Sequence, residues 1–466
     1  MNRLWSFAIS SVMVFWGWVA VTNAETLDFD RAVDRALRHD PRIDEMRQLV
    51  KVAEALLKEV EGHGDTMVDM NLFVALTSTI EKRTDTFQDS EAEIYEVFAK
   101  NALDFADPKT WHSDNITTWR SLTLKIIKPL HTFGKIENYR QAAEGQIVVK
   151  HQDVEIQKRK TVLEVAKAYY GYLAARDSVF FLKKVEQQLN GAREIVQQWI
   201  DEEDERGKQS DLFALQAAQH LLNKSLFEAD ALQTIALKGL KLLTGVSDQE
   251  ELTLADSNLK PLAWPEVELA VLQQQALDTR PEMQQLKAGL RARKFLIKAH
   301  KAERLPNLYM GVVGGIAVSP GREEAENDAY INDLFNYGAF TPVLGLKWDW
   351  EGAGVYSGRT RGAEAELDAL VEKNRFALLG LPFQVAEKYH TAQAGYKGTQ
   401  SLAQGSRAAR RWMMSTYVDF EAGFEEASKV MDALKTYVIV HVDYLTTLYE
   451  YNIHLIELKQ IAGERG

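Results

Sequence analysis

Ten histidines are scattered through the chain, at His39, His63, His112, His131, His151, His220, His300, His390, His441 and His454. None falls in an HExxH pattern or another spacing that would bring metal ligands onto one helix face. Carboxylates do cluster, most densely in "DEEDE" at 201–205. Pairs such as Glu202 and Glu203 stand there in a run expected of a solvated helix end, or of a surface that meets a partner. The glycine groups "GVVGGIAV" (311–318) and "GAGVYSG" (352–358) lack the flanking residues of a dinucleotide or kinase phosphate loop, so they read as backbone devices. There is no GxSxG and no cysteine. Catalytic residues, resident metals and cofactors are therefore not expected, and the enzyme classes fall away.

The composition narrows the field further. Lys+Arg 55 against Asp+Glu 67 gives a net charge of −12, which argues against a nucleic-acid partner. A mean hydropathy of −0.28 excludes a bundle of membrane helices for the bulk of the chain. The N-terminus is the exception: Arg3 precedes an apolar run from Leu4 to Val21, and small residues end at Ala24. Residues 1–24 read as a secretory signal cleaved after Ala24, with an uncleaved anchor as the alternative because the run is long. The protein is expected to be exported.

One pattern is written twice. "ALRHDPRID" (36–44) returns as "ALDTRPEMQ" (276–284), and "LKIIKPLHTFGKIENYRQA" (124–142) returns as "LKWDWEGAGVYSGRTRGA" (344–362), aligning Gly134 with Gly354. The reading divides the mature chain into two structural repeats, 25–260 and 261–466. Each runs helix, strand, loop, strand, long helices. In the first, a helix is expected over 27–61, capped by Asp28, and strands near 68–80 and 117–130. A proline-free helical run from Gly134 to about Ile200 would be near 100 Å long at about 1.5 Å per residue. "DEEDERGKQSD" (201–211) breaks it before a second helical run to about Thr244. The second copy has strands near 307–318 and 341–351, a helix from about Thr360, and a break at Gly423.

Alternating apolar segments of about ten residues have the length and pattern of outer-membrane strands. Four such strands cannot close a barrel, and open edges are not tolerated in lipid, so a membrane role requires self-assembly. Three copies give twelve strands around a water-filled lumen. Trp348 and Trp350 then mark an interfacial girdle in contact with outer membrane lipid, and Gly134 and Gly354 are the strand-to-helix turns. The competing reading packs the strands on a soluble core.

The stretches "LDFDRAVDRALRHDPRI", "PLHTFGKIENYRQAAEG", "VLEVAKAYYGYLAARDSV", "GKQSDLFALQAAQHLL", "LKLLTGV" and "FEAGFEEASKVMDAL", in this order and duplicated, resemble the TolC-like outer-membrane efflux proteins. The resemblance covers nearly everything after residue 26. It implies a mainly α fold with a small β part, in a homotrimer with a twelve-stranded transmembrane β-barrel continuous with a periplasmic α-helical barrel. It implies an exit duct of a tripartite efflux or type I secretion system. The partners would be a periplasmic adaptor (membrane fusion protein) and an inner-membrane transporter of RND, ABC or MFS type. The helix breaks would be adaptor-docking tips, with Gly207, Ser210 and Asp211 at the first and Gly423, Phe424 and Ser428 at the second. The family's acidic gate positions fall on Lys429 and Asp432, where only the second keeps its acid. Lys429 either pairs with Asp432 at i,i+3 or relieves repulsion among symmetry-related carboxylates. The alternative for Asp432 is a solvated helix residue, and the alternative for the whole chain is a periplasmic or surface-attached coiled-coil binding protein. The long 81–116 loop holds nine acids and four bases, and 319–340 holds five acids and one base, which would make an acidic outer rim. A short helix is expected within it, at 90–105.

Overall fold

The computed structural model describes residues 25–82, 111–112, 115–323, 333, 335–349 and 353–463. The expected signal segment, the helix at 90–105 and Trp350 lie outside them. In the first half the elements are β1 (Glu25–Leu27), α1 (Phe29–His39), α2 (Pro41–Gly62), β2 (Met67–Ser78), β3 (Glu81–Lys82), β4 (Trp111–His112), β5 (Ile116–His131), α3 (Lys135–Asp201) and α4 (Gln209–Thr244). In the second they are β6 (Leu252–Leu254), α5 (Leu269–Thr279), α6 (Pro281–Ala302), β7 (Asn307–Val318), β8 (Tyr337–Lys347), α7 (Ala353–Glu421) and α8 (Ala427–Ile461). The chain is mainly helical with a small antiparallel sheet, in the order β2-β5-β7-β8.

Three boundaries differ from the sequence reading, each for a local reason. The helix expected over 27–61 is two helices, because Pro41 disfavours helical backbone at Asp40, whose ψ of 111° ends α1. Asp28 does cap α1, its Oδ1 accepting from the Arg31 N–H at 2.8 Å. The fourth strand ends at Lys347 and not at 351, because its partner β7 begins at Asn307, directly opposite Lys347. Pro306 precedes that residue and has no N–H to extend the ladder. The following helix starts at Ala353, seven residues before Thr360.

Two compact units cut across both halves of the sequence. Among the described residues, the first draws on the chain up to Glu45, on Glu155–Arg280 and on the chain from Leu379 on; the second comprises Met46–Val154 and Pro281–Leu378.

The first unit has two apolar cores. One gathers Leu27, Val165, Tyr169, Leu240, Leu448 and Tyr451 around the parallel pairing of β1 with β6. Here the extended segment between β6 and α5 is fastened by side chains. The buried Asn452 donates to Lys260 O at 2.8 Å and accepts from Leu262 N–H at 3.0 Å, while Tyr451 donates to Leu262 O at 2.8 Å. Tyr169 donates to Asp256 Oδ2 at 2.6 Å, and burial followed by that bond raises the tyrosine's pKa. The other core runs through Leu182, Val196, Leu215, Phe420 and Leu434.

In the second unit the sheet continues into helices. Gly145 on α3 faces Ala292 on α6 so closely that a Cβ would come within 2.8 Å of the alanine's own. Tyr139, His300, Glu303 and Arg359 form one hydrogen-bonded and ion-paired group near the strand ends, with Glu303 accepting from Tyr139.

Candidate functional site

The sheet of the second unit is built on a consistent parity. Even-numbered residues of β2 pair only with even-numbered residues of β5, as Met70 with Leu124 and Leu72 with Leu122. The same rule links β5 to β7, as Ile126 with Val312, and β7 to β8, as Met310 with Leu344. Residues directly opposite one another share a face, so one face of four strands collects the even positions. The rule breaks once, at the bulge between Pro129 and His131.

The even face is apolar. It includes Val68, Met70, Leu72, Val74, Leu76, Leu122, Ile316, Phe340 and Leu344, and these side chains are exposed; Leu76 is 75% and Leu344 74% accessible. Two cations share this face, Arg120 opposite Val74 and Lys128 opposite Met310. Eight residues separate them along β5, about 27 Å at ~3.4 Å per residue. With the usual barrel tilt this is close to the height of an outer-membrane apolar band. The odd face is mixed: Asp69, Asn71, Thr123, Lys125, Thr341 and Lys347 give it its polar groups, and Phe73, Trp119, Ile127 and Val313 lie among them. Gly314 allows the strands to close up, since a Cβ there would overlap Ala339 O. Among the described residues β2 is exposed on both faces, and its even face is the apolar one.

Trp348 lies one residue beyond β8, not within the strand, with 48% of its surface accessible. Its indole N–H donates to Arg304 O at 3.0 Å. Gly134 sits between β5 and α3 at φ +80°. Gly354 is the second residue of α7 and has no left-handed backbone, so the second strand-to-helix turn lies before it.

In the first unit the two helix breaks come together. The first turn runs from 202 to 208 and the second from 422 to 426. Lys208 Nζ lies 3.1 Å from Glu426 Oε1 across them. Arg206 stacks over the Trp199 ring at 4.7 Å and reaches the backbone of Gly423, and Trp199 meets Phe420 edge-on at 5.0 Å. The Arg206 hydrogen bonds hold the partly exposed Asp204 carboxyl down to about 2. The Lys208 ammonium, then the Ser428 hydroxyl and the charge of Lys429, lower that of Glu426. Gly207 folds tightly against α3, where a Cβ would meet the backbone of Trp199 and Ile200 at 2.6 Å. Ser210 and Asp211 occupy the first turn of α4, Phe424 projects with 84% of its surface accessible, and Ser428 donates to Glu426 at 3.4 Å.

Lys429 and Asp432 are both exposed in the first turns of α8 and are not joined by a hydrogen bond or ion pair. The i,i+3 pairing is therefore not formed, and the Lys429 charge bears on the Glu426 carboxyl. Sequence reasoning missed Trp199, Arg206, Lys208 and Glu426. The signal for Arg206 was present, a single arginine closing a run of five acids.

Among the described residues, no group of three or more His, Asp or Glu side chains could hold a metal ion. No described helix is long and apolar enough to cross a membrane.

Comparison with known proteins agrees with this geometry. The family model for outer membrane efflux proteins matches residues 101–246 and 272–464. No curated protein matches the sequence. Solved structures do match in fold. The outer membrane protein VceC from Vibrio cholerae is 14% identical, with 94% of this chain and 96% of that chain covered and a TM-score of 0.69. The open MtrE outer membrane channel of Neisseria gonorrhoeae is 14% identical, with 94% and 89% covered and a TM-score of 0.71. The CmeC outer membrane channel of Campylobacter jejuni is 13% identical, with 99% and 94% covered and a TM-score of 0.72. The family match spans most of the chain, and the chain belongs to the outer membrane efflux protein family, a family of channels and not of enzymes, located in the outer membrane.

Proposed function

We propose that three copies of this chain assemble into an exit duct. Each contributes the four strands β2, β5, β7 and β8 to a twelve-stranded barrel in the outer membrane, and most of the chain extends into the periplasm as a helical barrel. The observation that carries this reading is the exposed apolar face, shared in register by four hydrogen-bonded strands whose two outer edges have no partner among the described residues. In lipid an unpaired edge costs several kcal/mol per unsatisfied group, about 2–7 on transfer scales, and closure with neighbouring copies removes it. The two repeats, 25–260 and 261–466, would each supply one strand pair and one pair of long helices.

The duct conducts passively. A periplasmic adaptor docks at the paired turns around Gly207 and Gly423, and an inner-membrane transporter of the RND, ABC or MFS type delivers substrate in an efflux or type I secretion system. Exposed Phe424 suits the adaptor contact, and Asp432 narrows the closed pore. Opening proceeds by sliding of packed helices at the tip.

The test is the mass of the assembly extracted from isolated outer membranes in mild detergent and corrected for bound detergent. A mass of about three mature chains is expected. A monomer in the soluble periplasmic fraction would overturn the duct and leave the coiled-coil binding protein.

A further inference from the structure

The odd face of the sheet carries a hollow of about 620 Å³ near the ends of the strands that lead into the helices. Lys125 of β5, Lys347 of β8 and Lys135 of α3 line it together with His63, Asn307 and Tyr309, and no aspartate or glutamate does. Neither the Lys125 nor the Lys135 ammonium has an ion-pair partner among the described residues. Lys347 lies 3.5 Å from Asp349, but both side chains are more than half exposed, where such a pair is weak. Asp69 stands opposite Lys125 in the ladder and accepts from Asn71 at 2.7 Å.

Three lysines beside the Tyr309 ring and the apolar side chains of Met67, Ile127 and Ile136 form a receptor for negative charge on an organic body. We propose that this hollow binds organic anions, solutes bearing carboxylate, sulfonate or phosphate groups beside an apolar part, as they leave through the duct. The proposal rests on the trimeric reading above, in which the odd face lines the lumen. Three copies then place their lysines around one ring with low-dielectric wall and lipid behind them, which concentrates the field on the water inside.

The probe is naphthalene-1,5-disulfonate, with inorganic pyrophosphate as the charge-only comparison and raffinose as the neutral one. Two readouts are made on the intact, detergent-purified assembly: calorimetric binding, and block of single-channel current with the probe added on the barrel side. The disulfonate is expected to bind and block, pyrophosphate to do so less, and raffinose not at all. The double variant Lys125→Gln/Lys135→Gln should weaken both by about tenfold or more, as expected on removing charged hydrogen-bond donors. Both lysines reach solvent, so the assembly should persist, and Lys347→Gln serves as a milder second variant. Normal conductance with binding and block unchanged in the variants would overturn the anion site and leave the duct standing. Lysine-dependent binding without any conductance would overturn the duct as a pore and the export role of the site, leaving an anion receptor.

Discussion

Gly423 turns the second tip at φ +80°, and a Cβ at that position would collide with the Arg206 guanidinium that stacks on Trp199. Gly423→Ala therefore carries a left-handed backbone cost of about 1–2 kcal/mol and displaces Arg206 as well. Gly354→Ala is the control: it lies within α7 with no neighbouring atom within 4 Å of a Cβ, so it should be neutral or stabilising by up to about 1 kcal/mol. Limited proteolysis at the tip reads the difference: faster cleavage near 422–426 for Gly423→Ala and an unchanged rate for Gly354→Ala. Asp432 makes a separate prediction. Its exposed carboxylate has no lysine bound to it, so in the proposed trimer Asp432→Ala should change single-channel conductance or cation preference by removing three symmetry-related charges. An unaltered channel would remove it from the gate. The residue types at the tips were legible in sequence, since glycine and a break in helical spacing announce a turn. The pairing of Lys208 with Glu426 was not, because 218 residues separate them and nothing in either turn specifies the other.

At the scale of elements, three long helices meet at His441. Its ring lies 4.1 Å from Phe181 of α3, and its Nδ1 is 2.8 Å from Ser406 Oγ of α7. Burial, and then the Arg410 cation, hold its pKa below the ordinary histidine value. As pH falls, the unfolded chain takes up this proton first, at about 6.5, while the folded chain resists it. The neutral imidazole thus contributes stability above that pH, and the contribution is lost progressively below it. Thermal unfolding of the helical signal should therefore drop between pH 7.5 and pH 5.5, and His441→Gln should flatten that dependence. An equally steep drop in the variant would assign it to other groups. The elements themselves were largely readable. Period-two alternation located β2, β5 and β7 to within one or two residues, because each has one face of even-numbered apolar residues. The fourth strand was misplaced because Trp348 and Trp350 continue the alternation past the point where the ladder runs out of partner. The short β1 and β6 left no pattern of their own: three residues are too few to alternate, and only their pairing across 227 residues makes them strands.

At the scale of the whole molecule, fold class was legible because the sequence repeats its order of elements, and the helices are far longer than those of an ordinary globular domain. The two compact units were not legible. They cut across the repeats because α2, α3 and α7 each run from one unit into the other, and sequence order carries no mark of where contacts regroup. The open edges of β2 and β8 also belong to this scale: a single chain leaves the sheet unfinished, and the native mass measurement asks whether neighbouring copies complete it.

The parity of the strand pairings bears on how such a chain can change over time. In the proposed barrel, adding or removing one residue inside β2, β5, β7 or β8 without a bulge to absorb it would turn every side chain beyond that point from lipid to water and from water to lipid. The hairpin connections carry no such constraint and already differ, 79–115 in one pair and 319–336 in the other, while the bulge between Pro129 and His131 resets the count within β5. In the proposed trimer the seam between β8 of one copy and β2 of the next inherits the same arithmetic. Assembly has to choose among registers two residues apart, and every wrong choice of odd offset would set valine and leucine against water along the entire joint.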